Sequence, residues 1–362
     1  MKGLFILLLT VSAAYSVQAQ DTLSLLFAGD VMQHMKQIES AHQGNGKYAY
    51  DSCFSYVKKY IEAADLSIAN LETTFAGSPY SGYPAFCAPD ELASALQGSG
   101  FDILLTANNH SCDKGKTGIE RTLKVLDSLN FTHTGTFYSK EERDTIYPLL
   151  VEKNNFRIVF LNYTYGTNGI AIPAPTVVNL IDTLQMKADI AKAKSWNPDI
   201  IIACLHWGLE YRLSPSAEQL SLSNFLFNQG VRLVIGSHPH VLQRMEKRET
   251  EQDASLSNVV VYSLGNLVSN MEAANTEIGA MASVRLIKSA EDVVIDECAY
   301  RLTWTYKPVV AGKTHYYILP IADYEENASF FSTPEIYRRM KNSTASMRSL
   351  FQKENIGFIE YK

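Results

Sequence analysis

Apolar residues occur in short, nearly unbroken runs, separated by stretches that are apolar only every third or fourth position. The runs TLSLLFAGD (22–30), DLSIANLE (65–72), FDILLTANNH (101–110), FRIVFLNYTY (156–165), DIIIACLHWG (199–208), VRLVIGSHPH (231–240) and NVVVYSLGN (258–266) read as strands. Residues 53–64, 90–100 and 214–230 read as helices, the last with Pro215 in its first position and Gly230 closing it. A further helix is predicted from a capping box of Thr117 and Glu120, with Ile119, Leu123, Leu126 and Leu129 on one face. Strand–helix alternation with fully apolar strands predicts an α/β architecture whose strands are covered on both faces. After residue 275 the alternation stops. GAMASVRLIK, VVIDECAYRLTWTY and HYYILPIAD read as strands without helices between them, expected to complete a second sheet packed on the first. A last helix is expected from Pro334 to about Phe351.

Composition adds limits. Of 362 residues, 46% are hydrophobic and 19% charged, a globular balance. The net charge of −6 with no basic cluster argues against nucleic acid as a partner. The first twenty residues, MKGLFILLLTVSAAYSVQAQ, carry Lys2, an apolar core from Leu4 to Ala14, and small residues Val17 and Ala19. That pattern predicts a signal peptide over 1–19, export, and a periplasmic location. The apolar core is too short for a comfortable span, so no stable membrane segment is expected after cleavage. The five cysteines form no C-x-x-C pair, and no disulfide is assigned.

Candidate chemistry lies where the apolar runs end. They end in Gly29-Asp30, Asn70-Leu71-Glu72, Asn108-Asn109-His110, His206-Trp207-Gly208 and Gly236-Ser237-His238-Pro239-His240. Singly, each is an ordinary turn, cap or loop. Jointly they bring two carboxylates, an amide and four imidazoles to the strand ends, where open α/β sheets place their ligands. Pro239 excludes a central strand between His238 and His240, so these two sit on a rigid loop. Such a donor set suits one or two divalent ions (Mn, Zn or Fe), which activate water and clamp the oxygens of an in-line displacement. His34, four residues after Asp30, is within reach of the same place.

The segments FAGDVM, ADLSIANLE, LLTANNHSCDKG, IACLHWGLEY, VIGSHPHV and VYSLGN follow one another across residues 23–270. In this the chain resembles the bacterial capsule-synthesis CapA (poly-gamma-glutamate, PGA_cap) family, a branch of the calcineurin-type metallophosphoesterases. The resemblance implies an α/β/β/α sandwich of two packed sheets flanked by helices. It implies a metallophosphatase-like domain over 20–325, with 326–362 a C-terminal helical extension packed on it. It implies Asp30, Glu72, Asn109, His206, His238 and His240 as metal ligands, with Glu72 bridging, Asp30 and His240 on one ion, and Asn109, His206 and His238 on the other. His110 then protonates the leaving oxygen or holds the phosphoryl group. The superfamily has a histidine where this chain has Met32, and a thioether is a poor ligand for a hard cation. One ion would then bind weakly, borrow His34, or be absent. Tyr83, Trp207, Glu210 and Tyr211 lie in aromatic and polar segments suited to lining a cleft. The implied function is a metal-dependent hydrolase or transferase acting on a phosphoester or an anionic surface polymer, beside the envelope's polymer-synthesis machinery. A non-catalytic polymer-binding scaffold that keeps the fold is the alternative.

Overall fold

A computed structural model describes residues 20–250, 256–288 and 292–362. The expected signal peptide lies outside the described residues. Its principal strands are β1 (Asp21–Val31), β2 (Leu66–Leu71), β3 (Ile103–Leu105), β4 (Thr132–Thr134), β5 (Leu149–Lys153), β6 (Phe156–Thr164), β7 (Ile200–His206) and β8 (Leu233–Ser237). They continue with β9 (Met245–Glu249), β10 (Ser257–Val261), β11 (Asn266–Val268), β12 (Ile278–Lys288), β13 (Val293–Tyr306), β14 (Tyr317–Pro320) and β15 (Ile359–Glu360). The longer helices are α1 (Glu91–Gly98), α2 (Gly115–Ser128), α3 (Thr183–Lys194), α4 (Ala217–Asn228) and α5 (Pro334–Glu354).

Two sheets result. The first runs β14-β13-β12-β1-β2-β3-β4, with β11 beside the end of β1 and β15 beside β13; the second runs β9-β10-β8-β7-β6-β5. The late strands therefore extend the first sheet instead of building the second. The reason lies in β1, which is buried along both faces for most of its length and needs a hydrogen-bonded neighbour at each edge. β2 pairs with one edge in parallel, and β12 takes the other antiparallel, from Asp21 opposite Lys288 to Ala28 opposite Met281.

Side-chain alternation divides each strand between two layers. Leu23, Leu25, Phe27, Ile68 and Ile103 of the first sheet meet Ile158, Phe160, Ile200, Ile202, Leu233 and Ile235 of the second. Leu26, Ala28, Ala69 and Leu104 pack outward on Phe54, Val57, Ile61, Leu92 and Leu96. Val159, Leu161, Ile201, Ala203 and Val234 pack outward on Met186, Ile190, Leu222 and Leu226 of α3 and α4. This is the α/β/β/α sandwich. Met340, Met347 and Phe351 of α5 join the central core beside Tyr300, Leu302 and Trp304.

Helix starts differ from the sequence reading at three places. Residues 53–64 form two short turns of helix, Asp51–Phe54 and Lys58–Ile61. α2 begins at Gly115, so Thr117 lies inside the first turn and caps nothing. α4 is capped by Ser216, whose Oγ accepts from the Gln219 N–H at 3.2 Å while Gln219 Oε1 accepts from the Ser216 N–H at 2.9 Å, leaving Pro215 outside. All five cysteines are buried and free.

Gly236 of β8 is fixed by close packing. A β-carbon there would lie 2.1 Å from the Tyr262 carbonyl oxygen and 2.4 Å from Trp207 Nε1. Both neighbours are locked, since the indole N–H donates to that carbonyl at 3.0 Å. Gly236→Ala is expected to cost about 3 kcal/mol of stability, the upper range for overpacking, read as a lowered urea midpoint.

Candidate metal centre

The strands ending in chemistry belong to two sheets, not one. β1, β2 and β3 bring Asp30, Glu72 and Asn109 from the first; β7 and β8 bring His206, His238 and His240 from the second. All six are at least 97% buried, so their polar atoms must find partners inside the protein.

At Asp30 the register between β1 and β2 shifts, and the Asp30 N–H donates to the Gly265 carbonyl at 3.0 Å. Its carboxylate is well held. Asn70 Nδ2 donates to Oδ1 at 2.8 Å, the His238 N–H donates to Oδ2 at 3.2 Å, and His240 Nδ1 lies 3.2 Å from Oδ2. Glu72 is the opposite case: both carboxylate oxygens lack a hydrogen-bond partner. Its Oε1 lies 3.6 Å from His206 Nε2 and 3.8 Å from His240 Nε2, between two imidazoles of the facing sheet.

Asn109 Oδ1 lies 2.8 Å from His206 Nε2, while its Nδ2 donates to Asn168 Oδ1 at 3.2 Å. The other ring nitrogen of His206 faces Ser237 Oγ at 3.1 Å. β8 stops at Ser237, and the next residues turn sharply. His238 has φ 98° and His240 φ 57°, the left-handed region that side chains with a β-carbon avoid. Such strain persists only where surrounding contacts impose it. Here the Asp30 carboxylate holds the His238 N–H, and Asn266 Oδ1 holds His240 Nδ1 at 3.0 Å. His238 Nδ1 is buried with no partner.

These unpaired atoms are the test of whether the residues fit a cation, and they do. Glu72 Oε1 and Oε2, Asn70 Oδ1 and His238 Nδ1 are buried acceptors, or a ring nitrogen able to accept, with nothing to accept from. Left so, each costs free energy that a bound cation would recover. Ligand atoms lie within 4.8 Å of one another in two groups, Asp30–Glu72–His206 and Glu210–His238–His240. The mixed oxygen and imidazole set suits Mn, Fe or Zn.

The same burial shapes the titration of the metal-free centre. Burial first, then the charges of Asp30 and Glu210, push the Glu72 carboxyl well above the usual carboxylate range. Burial, then His240, pushes His238 down to about 3; burial also pushes His34 down to about 4 and His206 well below its ordinary value. Each histidine is neutral in the fold but takes a proton when unfolded below pH 6.5. Its stabilising contribution is therefore lost as pH falls from about 6.5 toward its folded value. Each costs about 1.4 kcal/mol per pH unit there. Glu72 acts oppositely above pH 4.5, but one carboxyl opposes three imidazoles. Metal-free protein is expected to lose melting temperature steeply between pH 6.5 and 4, measured by thermal unfolding in EDTA.

A profile of the family described as "Bacterial capsule synthesis protein PGA_cap" matches residues 24–271. The chain belongs to that family. It is 26% identical over 280 residues to the capsule biosynthesis protein CapA of Bacillus anthracis, covering 74% of this chain and 64% of that protein. It is 27% identical over 282 residues to the PGA biosynthesis protein CapA of Bacillus subtilis (strain 168), covering 75% of this chain and 70% of that one. The chain thus spans about two thirds of the length of these relatives. Among solved structures, the NAD nucleotidase NadN of Haemophilus influenzae superposes with TM-score 0.49 at 12% identity, covering 94% of this chain and 64% of that one. The calcineurin-like phosphoesterase YfkN of Bacillus subtilis superposes with TM-score 0.48 at 12% identity, covering 92% of this chain and all of that one.

Around this candidate centre the structure also places the remaining candidates. His110 is buried, with Nδ1 2.8 Å from Asp113 Oδ2 and the Phe86 ring edge against it at 4.5 Å. The same Asp113 oxygen accepts from the Phe86 N–H at 2.6 Å, which fixes the carboxylate. Tyr83 is 76% exposed, Tyr211 is 45% exposed with its ring 6.3 Å from that of His240, and Glu210 is exposed. Trp207 is a correction. It is 2% exposed, stacks on Tyr262 and spends its indole N–H inside the core, so it lines no cleft. His34 does not join the ligand atoms. Its Nδ1 accepts from the Asn270 N–H at 3.3 Å and lies 3.2 Å from Gln37 Oε1. Met32 is fully buried. The sequence reading missed Asn70, Asp113 and Asn266, which orient Asp30, His110 and His240. Asp113 had a signal, the three-residue spacing from His110; Asn266 had one in ending the run NVVVYSLGN.

Proposed function

We propose that this protein is an exported, metal-dependent hydrolase or transferase of the phosphoesterase type, acting on a phosphoester or an anionic surface polymer during capsule or poly-gamma-glutamate handling. The observation that carries the reading is Glu72, a buried carboxylate of the first sheet with both oxygens unpaired, set against two imidazoles of the second. The names of the CapA relatives supply the polymer.

Asp30, Glu72, Asn109, His206, His238 and His240 would hold one or two divalent ions. The bound ions would supply Lewis acidity and a water made nucleophilic near neutral pH. The protein's own part is orientation and proton transfer. Asn266 and Ser237 fix the rings of His240 and His206, leaving the opposite nitrogens toward Glu72. Asp113 accepts from His110 Nδ1–H, which leaves Nε2 to pass a proton to the departing oxygen. The same contact fixes the plane of the imidazole for that transfer.

Purified protein is expected to carry one or two transition-metal ions per chain and to hydrolyse bis-p-nitrophenyl phosphate or a gamma-glutamyl oligomer until chelated. Absence of bound metal, with no stabilisation by Mn, Zn or Fe, would sink the reading. Full metal loading with no turnover would instead favour the scaffold, to which the buried, donor-poor Met32 also points. The exported chain is expected to begin at Gln20, which N-terminal sequencing reads.

A further inference from the structure

We propose that Glu210 is a metal ligand, completing with His238 and His240 the more open half of the centre. This rests on reading the cleft as a metal centre. The first observation is proximity: one carboxylate oxygen of Glu210 and one nitrogen of each histidine lie within 4.8 Å of one another. The group is separate from Asp30–Glu72–His206, so the donors fall into two sets of three, each containing a carboxylate.

The second observation is the way the loop is built. An exposed glutamate on a loop is ordinarily free to wander. Here the loop is fastened on both sides of Glu210, each time to the segment that bears the two histidines. The Trp207 N–H donates to the Ser237 carbonyl at 3.1 Å, and the Tyr211 N–H donates to the Pro239 carbonyl at 2.8 Å. Gly208 turns through φ 89°, where a β-carbon would come within 2.6 Å of the Gln219 amide. Tyr211 is held at φ 63°, a conformation that needs outside support. Gln243 Nε2 donates to the Arg212 carbonyl at 2.8 Å and closes the loop. The position of Glu210 over the imidazoles is imposed, not incidental.

The third observation points to a ligand independently. His238 is 3% exposed, and its Nδ1 has no partner. A cation shared with Glu210 gives this half of the centre what Asp30, Glu72 and His206 give the other. With Glu210 counted, three carboxylates face the charge of two divalent ions, which leaves the buried cluster near neutrality.

The test is Mn(II) titration of metal-free protein by calorimetry and electron paramagnetic resonance, comparing wild type with Glu210→Gln. Glu210 is exposed, so the amide leaves the fold intact, as circular dichroism will verify. Wild type is expected to bind two ions. The variant should keep one at wild-type affinity and bind the other at least about 100-fold more weakly, beyond what loss of an outer partner costs. That loss should persist in 1 M salt. A loss of about tenfold that vanishes in 1 M salt would mark distant charge attraction and overturn the ligand role. Two ions bound equally by both proteins would overturn it as well, leaving the metal centre standing. A wild type that binds no Mn(II) would overturn the metal centre and this proposal together.

Discussion

Glu72→Gln is expected to strip the centre of its cations, lowering metal affinity by more than about 100-fold, and to abolish turnover with it. The change is isosteric, so the cleft keeps its shape. What it removes is, among the described residues, the one buried carboxylate with both oxygens lacking a hydrogen-bond partner. An amide offers one weak donor oxygen and an NH₂ group that repels a cation. In the metal-free protein the sign reverses. The Glu72 carboxyl is pushed well above its ordinary value by burial and by Asp30 and Glu210. Its charged form therefore destabilises the fold above pH 4.5, and increasingly so until the folded value is passed. Glutamine carries no such charge and can donate to Asp30. At pH 7 in EDTA the variant should melt above wild type, and the gap should close as pH falls toward 4.5. Mn(II) affinity equal to wild type by calorimetry, or a metal-free variant that melts lower at pH 7, would contradict the role given to Glu72.

The second large effect separates holding a metal from moving a proton. His238→Ala is expected to lose metal and turnover together, because the ring is proposed as a ligand and the alanine β-carbon keeps the left-handed strain at φ 98°. His238→Gly relieves that strain and should be the more stable of the two by about 1 kcal/mol, though equally inactive. His110→Ala should keep its metal while the chemical step slows by about 10²–10⁴-fold, the range for a lost general acid. Asp113 acts through His110, so Asp113→Asn should slow turnover less and shift the acid limb of its pH profile. Equal metal loss in His110→Ala and His238→Ala would put His110 in the coordination shell. Retained metal with full turnover in His110→Ala would remove it from the chemistry.

Much of this centre was legible because its parts break local rules. Apolar strands that end in Asp, Glu, Asn or His have no reason to do so unless the ends meet. What the runs could not reveal was which sheet each strand joins. Alternation marks a strand's two faces but not its neighbours, and β1 takes one partner 41 residues away by sequence, Leu25 beside Leu66, and another over 250 away. The late strands were misplaced for that reason. Thr117 and Pro215 misled because several polar residues near a helix start can cap it, and the turn geometry decides which one does. Trp207 looked like a cleft residue by its place beside His206. Strand alternation turns adjacent side chains to opposite faces, so it was the wrong neighbour to choose. Asn70 and Asn266 were passed over because an asparagine at a strand end has ordinary turn roles, and only the folded distances reveal what it touches.

The pairing of β1 has a bearing on when this protein could acquire the proposed ions. The donors at residues 30–109 sit on a sheet whose central strand is bonded along most of one edge, Asp21 to Ala28, by residues 281–288. The remaining donors, at 206–240, sit on the facing sheet. A nascent chain that has emerged only as far as His240 still lacks the strand that completes the first sheet. Contacts this far apart in sequence form late and slowly. Metal capture at the proposed centre would therefore report a finished polypeptide. With export as proposed, a chain still being synthesised or translocated would have no cage in which to trap a cation on the wrong side of a membrane, and the compartment in which folding ends would decide which ion it receives.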